Sequence, residues 1–268
     1  MELNDRVAIV TGAERGIGRA IAERMAAYGA SVVVAGLDAD NAANAASEIR
    51  AEYTGVVVES TDVDVTDRDS VAHMASQAIA RFGRIDILVN NAGIIGAPGW
   101  EHRDSPDESD WDQIYEVNVK GVANASDIVA EYMKPNSYGK IVNIASGAGR
   151  QGGPGNPPYN VSKAGVISIT QSYALELAPF NINVNAICPG LLWTPMWDRI
   201  ATRNINMDDD LSGLTPRQAF ERVVSDRIPL GREQTPEDIG NLAVFLASDL
   251  AINITGQSIN VNGGSRMD

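Results

Sequence analysis

The chain has 268 residues, 35 acidic and 21 basic side chains, a formal charge of −14, 44% hydrophobic residues and one cysteine, Cys188. That charge is a poor match for nucleic-acid phosphates, where lysine and arginine supply most of the affinity, and for anionic membrane surfaces; no apolar run approaches the ~20 residues that cross a bilayer. Cys188 alone makes no intrachain disulfide, and the acidic opening Glu2-Leu3-Asn4-Asp5-Arg6 is unlike a secretion signal, so a cytoplasmic protein with a self-sufficient core is expected.

Short β-branched runs alternate with longer helical patterns. Residues 7–10 (Val-Ala-Ile-Val) are apolar throughout, as a strand covered on both faces must be. Ile17, Ile21, Met25 and Tyr28 then recur at helical spacing, with Gly29 placed to end the helix. Residues 32–35 form the second strand, and the runs 56–58, 87–89, 141–144, 182–187 and 259–261 continue the alternation. Seven strands separated by helices predict an α/β fold of the doubly wound, Rossmann type: one mostly parallel sheet with helices on both faces. No linker or internal repeat divides the chain, so residues 1–268 read as one domain. Two stretches break the rhythm, 94–110 and 191–235. Both follow strand carboxyl ends, where open α/β sheets bind ligands, and they are expected to supply substrate walls, the second as a lid.

The first strand runs into Thr11-Gly12-Ala13-Glu14-Arg15-Gly16-Ile17-Gly18. Glycines between strand one and helix one let the backbone turn sharply and let a pyrophosphate approach main-chain N–H groups at a helix N-terminus. The spacing is Gly-x-x-x-Gly-x-Gly, not the Gly-x-Gly-x-x-Gly of long-chain dinucleotide-binding enzymes. Further on, Tyr159-Asn160-Val161-Ser162-Lys163 sets a phenol and an ammonium four positions apart, on one face if this is a helix. An ammonium beside a phenol favours phenolate and lowers its pKa from ~10, as a proton-transfer group near neutrality needs. Alone, such a pair is common on surface helices. Its neighbours give it meaning: Ser146 just after the strand at 141–144, Asn118 in Val117-Asn118-Val119, Asn90-Asn91-Ala92-Gly93, and Pro189-Gly190.

Together these motifs resemble the short-chain dehydrogenase/reductase family, in order and spacing, from Thr11 to Asn262-Gly263-Gly264. The resemblance implies Tyr159 as acid/base. Lys163 would lower its pKa and hold the nicotinamide ribose, Ser146 would bond the substrate oxygen as an oxyanion donor, and Asn118 would hold a water linking Lys163 to solvent. Gly12, Arg15, Gly16, Ile17 and Gly18 would cradle the pyrophosphate. Asn91 and Gly93 would line the adenosine side, and Asp64-Val65 would touch adenine, with Asp62-Val63 as a competing register. Pro189, Gly190, Leu192 and Thr194 would face the nicotinamide carboxamide. No metal is assigned.

In NAD enzymes an acid commonly ends strand two and takes the adenosine ribose hydroxyls. Here that place reads Val34-Ala35-Gly36-Leu37-Asp38. Gly36 stands where the acid is expected, and Leu37 where NADP members of the family often carry arginine. Arg15 suits a 2′-phosphate, whereas Asp38 and Asp40 make the rim negative and disfavour one. The balance favours NAD, with NADP as the alternative.

For the substrate, Trp193 and Trp197 in the lid, Trp100 in the earlier loop and Asn156 before Tyr159 are candidates, since indole faces stack on apolar rings or sugar C–H faces; the alternative is that the tryptophans only pack. His102 reads as a surface residue. The leading expectation is reversible oxidation of a secondary alcohol on a polyol, sugar or related small molecule. The runner-up is reduction of a 3-oxoacyl thioester, a role that calls for a basic patch facing an acidic carrier. Enoyl reductases of the superfamily space tyrosine and lysine more widely. A catalytically silent, cofactor-binding scaffold is the remaining reading, although silent members typically lose the tyrosine or lysine, and both are present. Family members are commonly homotetramers, and Val166, Ile167, Ile169, Thr170, Tyr173, Ala174 and Leu177 place apolar side chains on more than one side of their helix, compatible with a homo-oligomer.

Overall fold

Strands whose side chains are apolar on both faces need a helix layer on each side. The computed structural model describes residues 2–268. Its strands β1 (Val7–Thr11), β2 (Ser31–Gly36), β3 (Val58–Asp62), β4 (Ile87–Asn90), β5 (Gly139–Ile144), β6 (Ile182–Pro189) and β7 (Ser258–Val261) form one sheet in the order β3-β2-β1-β4-β5-β6-β7. Every pairing is parallel. The helices are α1 (Gly16–Ala27), α2 (Ala39–Glu52), α3 (Arg68–Phe82), α4 (Glu108–Tyr115), α5 (Gly121–Met133), α6 (Pro157–Leu177), α7 (Pro195–Met207), α8 (Pro216–Arg227) and α9 (Pro236–Ala247).

The period-two alternation of the strands sorts the core into two layers. Ala8, Val10, Val32, Val34, Ile87 and Val89 meet Ile21 and Met25 of α1, Ala42 and Ile49 of α2, and Ile239 and Val244 of α9. Their alternates Ile9, Val33, Leu88 and Ile141 meet Val71 and Met74 of α3, Val129 and Met133 of α5, and Leu177 of α6. The chain order reverses beside β1, which pairs with both β2 and β4. That reversal opens a crevice at the carboxyl ends of the strands.

The expected third strand is displaced. Residues 56–58 lead into β3, which runs instead through Glu59-Ser60-Thr61 to Asp62. As the sheet edge it pairs with β2 alone, so it keeps a wet, polar face that an apolar-run criterion passes over. Asp64 accordingly lies beyond the strand, not at its end. Helix α1 closes as expected, with Gly29 at φ 93°. Between α4 and α5 the helix widens into a π turn, Glu116–Lys120, that buries Asn118 completely; such turns re-aim side chains within a continuous helix.

The segment 191–235 carries α7 and α8, each opened by a Thr-Pro pair whose threonine side chain caps the helix. It has its own small core of Phe220, Val224 and Ile228, with Leu191, Trp193 and Trp197 against it. Among the described residues no helix is long and apolar enough to cross a membrane.

Candidate active site

A cleft of about 1280 Å³ lies along the carboxyl ends of the strands: Gly12 follows β1, Leu37 follows β2, Val63 follows β3, Asn91 follows β4, Ala145 follows β5, and Pro189 and Gly190 close β6. Its floor is backbone held by side chains. The Thr11 hydroxyl donates to the Val89 carbonyl (3.3 Å) and accepts from the Asn91 and Ala92 N–H groups (3.1 Å each). Asn91 Nδ2 donates to the carbonyls of Thr11 and Gly12, both at 2.9 Å. Gly12 has φ 61°, and a Cβ there would stand 2.9 Å from Ala92 Cα. Gly18 does not reach the cleft. It lies under the loop, where a Cβ would meet the Gly12 carbonyl oxygen at 2.2 Å and Asn91 Nδ2 at 2.4 Å, so its function is close packing of α1 against the turn.

Helix α1 begins without a capping side chain and with no acid in its first turn, whereas α2, α3, α4, α6, α7, α8 and α9 are all side-chain capped. Its free N–H groups and positive dipole end point at the glycine cradle. These residues fit the pyrophosphate of a dinucleotide.

Gly12, Arg15, Gly16, Ile17, Asp64, Val65, Asn91, Gly93, Pro189, Gly190, Leu192 and Thr194 all line the cleft. Asp38 does not. It caps α2 by accepting from Asn41 N (3.0 Å) and Nδ2 (2.7 Å), beside a small recess shared with Glu14, Arg15 and Leu37. The Asp64 carboxylate is engaged by Thr66, through N (2.9 Å) and Oγ1 (2.7 Å).

At the other end, α6 projects Tyr159 and Lys163 from one face into the cleft, with Nζ 5.7 Å from the phenol ring centre. Lys163 is 5% exposed and donates to the Ile144 carbonyl at 2.8 Å. Ser146, just past β5, accepts from Ala148 N at 3.1 Å and lies within reach of the phenol. Asn118 stands behind this group: Nδ2 donates to the Ile94 carbonyl (2.9 Å) and Ser162 Oγ (3.1 Å), while Oδ1 accepts from Ile94 N (2.8 Å). Its amide thus clamps the 91–95 loop to α6, with both amide hydrogens spent on protein acceptors.

Burial acts against the shift expected for Tyr159. Burial pushes the Tyr159 phenol up to about 12, offset only in part by Ser146, and pushes the Lys163 ammonium down to about 8. Desolvation penalises the charged form of each group.

The substrate wall differs most from expectation. Trp197 and Trp100 line the cleft, but Trp193 packs on Phe220 (centroids 5.3 Å apart) with Arg217 over its ring and lies outside the lining. Asn156 lines the cleft, yet its side chain donates to the Ile95 carbonyl (2.7 Å) and caps α6 at Tyr159 N (3.4 Å). His102 is exposed beside Asn206. Residues with no sequence signal complete the wall. Met196 Sδ faces the Tyr159 hydroxyl at 3.9 Å. Arg199 donates to the Ala97 carbonyl (2.9 Å) and pairs with Glu101 (2.7 Å). Arg203, 4% exposed, donates to the carbonyls of Trp100 (3.3 Å) and Asp104 (2.9 Å) and stacks on the Trp100 ring. These partners are about a hundred positions apart in the chain, beyond any local pattern.

Residues 12–266 match the family model described as "Enoyl-(Acyl carrier protein) reductase". The chain is 39% identical to a 3-oxoacyl-acyl-carrier-protein reductase of Thermotoga maritima, over 98% of this chain and 99% of that one. It is 38% identical to galactitol 2-dehydrogenase of Agrobacterium fabrum, over the full length of both. A solved NAD+-bound xylitol dehydrogenase superposes with a TM-score of 0.89 at 31% identity, covering 98% of this chain and 100% of that one.

Proposed function

The chain belongs to the short-chain dehydrogenase/reductase family, oxidoreductases acting on CH–OH groups, and on that premise we propose that it reversibly oxidises a secondary alcohol of a polyol, sugar or related small molecule, with NAD as cofactor. The observation that carries this reading is the meeting of Tyr159, Ser146 and Lys163 at one end of a cleft whose other end is the glycine cradle.

A bound nicotinamide dinucleotide supplies the hydride acceptor or donor. Gly12, Gly16 and Ile17, with the N-terminus of α1, hold its pyrophosphate; Arg15, Asp64, Val65, Asn91 and Gly93 flank the adenosine half; Pro189, Gly190, Leu192 and Thr194 face the carboxamide. Ser146 and Tyr159 bond the substrate oxygen together, so charge developing there meets two placed donors. With its pKa held high, the Tyr159 phenol carries its proton at neutral pH, the form that carbonyl reduction requires. For alcohol oxidation it must give that proton up first, and the protonated Lys163 is the chain's own group favouring this. Asn118 fixes the 91–95 loop against α6 so that these groups keep their spacing.

Trp197 in the cleft wall offers indole surface to the C–H face of a polyol, with Trp100, buried under Arg203, supporting that wall, and the names of the galactitol and xylitol relatives agree with that chemistry. The Thermotoga relative supports a second reading, a 3-oxoacyl-thioester reductase, for which Arg227 and Arg266 along the cleft are basic contacts in an otherwise acidic chain. Residues 1–268 act as one domain, with 191–235 as its substrate lid. Exposed apolar side chains at Trp111, Tyr115, Val161 and Leu175 suit a homo-oligomer, a tetramer on the family pattern.

The test is a nicotinamide-absorbance screen across polyols, sugars, simple secondary alcohols and 3-oxoacyl thioesters, run with NAD and with NADP. Turnover of polyols or sugars is expected. Activity confined to the thioesters replaces the leading reading by the second.

A further inference from the structure

Strand β2 ends in Gly36, which is buried and carries no side chain toward the adenosine end of the cleft. The space a side chain would occupy there is already filled. A Cβ built on Gly36 would lie 2.6 Å from Glu14 Oε2 and 3.1 Å from its Cδ. Glu14 belongs to the glycine loop and reaches across from β1 to the end of β2, lining the cleft beside Leu37. Its Oε2 is buried and has no hydrogen-bond partner. A buried carboxylate oxygen without a donor is costly, and donors normally satisfy such atoms; here the protein supplies none.

We propose that Glu14 is the cofactor-selecting acid of this chain: its carboxylate takes the place of the missing strand-two acid, accepts the hydroxyls of the adenosine ribose and excludes a 2′-phosphate. This rests on the dinucleotide reading of the cleft given above and deepens its preference for NAD. A carboxylate accepting a hydroxyl makes a charge-assisted hydrogen bond, whereas a 2′-phosphate placed against it is two like charges in a partly desolvated corner. Leu37, 72% exposed at the same rim, offers no cation to compensate. Arg15 is the remaining cation nearby, and it is solvent-exposed while the Glu14 oxygen is not. Glycine at 36 leaves the space that the relocated acid occupies, and a larger residue there would displace the Glu14 carboxylate.

The test is direct binding to the purified full-length chain, read by calorimetry with NAD, NADP and NAD lacking the adenosine 2′-hydroxyl, with melting temperatures as a folding control. The wild type is expected to prefer NAD, and to bind the 2′-deoxy analogue about tenfold more weakly than NAD. Glu14→Gln, which keeps shape and removes charge, is expected to bring NADP to within about threefold of NAD. Glu14→Ser is expected to weaken NAD about tenfold and to abolish the 2′-deoxy penalty. The double variant Glu14→Ser/Gly36→Asp, which moves the acid to strand two in the space vacated, is expected to recover NAD preference. Folded Glu14 variants that keep the wild-type NAD:NADP ratio overturn this inference and leave the proposed function standing. A wild type that binds neither dinucleotide overturns both, and one that prefers NADP overturns this inference and the assignment of NAD.

Discussion

The two ends of the cleft are built on different principles. The end proposed for the dinucleotide is main chain held by two short side chains: Thr11 Oγ1 and the Asn91 amide bond backbone groups across β1 and β4, and the glycines allow contacts no Cβ would tolerate. The substrate end is assembled by long side chains, with Arg199 and Arg203 of α7 reaching the carbonyls of the 96–104 loop. Rigid main chain suits a ligand whose phosphates are always alike. A wall hung on a few arginines changes shape with single substitutions, which suits the part of a fold where specificity diverges.

The largest expected effect separates chemistry from binding. Tyr159→Phe removes one hydroxyl from the substrate end and should lower kcat by ~10³ or more, with dinucleotide affinity within about twofold of wild type, measured by steady-state kinetics and calorimetry. Unchanged biological activity in that variant would favour the scaffold reading. At the opposite end, Gly18→Ala forces a methyl group into the Gly12 carbonyl and should cost about 2–3 kcal/mol in denaturant unfolding and weaken dinucleotide binding. Gly155→Ala, where a Cβ would meet nothing within 4 Å, is the matched control and should be close to neutral.

Lys163 links the ends through pH. Its folded pKa of about 8 lies below that of the unfolded chain. Below pH 8 both states hold the proton and the folded protein bears the whole cost of burying the charge. From about pH 8 to 10 the folded chain releases the proton while the unfolded chain keeps it, so stability rises relative to Lys163→Met, by up to about 3 kcal/mol. Above pH 10 Tyr159, with its raised pKa, acts in the opposite sense. Urea unfolding of wild type and variant at several pH values between 7 and 10 checks the slope. The smallest effect is expected from Arg203→Met, about 1–2 kcal/mol of local stability, seen as faster hydrogen exchange in α7 and a higher KM for substrate with unchanged dinucleotide affinity. Uniform exchange over the whole chain would erase the distinction drawn between the two ends.

Much of the molecule is legible in the chain because the governing interactions are local. Continuous apolar, β-branched runs specify strands with two buried faces, so β1, β2, β4, β5 and β6 fall where the pattern puts them. The edge strand β3 is displaced because half of its side chains meet water. The Tyr159–Lys163 spacing places both groups on one face of α6 by helix geometry alone. Trp193 and Asn156 show the opposite case: each has the right chemistry for a substrate contact, yet Phe220 and Ile95, brought up by other parts of the chain, take up their faces and amides.

The sequence by itself therefore determined the layers, the glycine-rich first turn and the shared helix face of Tyr159 and Lys163, since periodicity, turn chemistry and a four-residue spacing act over one element at a time. Only the tertiary structure decided that the phenol and the ammonium are both pushed toward neutrality, that Met196 faces the phenol, and that Glu14 stands over Gly36. Desolvation and the occupation of space depend on which distant segments close over a group, and no local pattern records that.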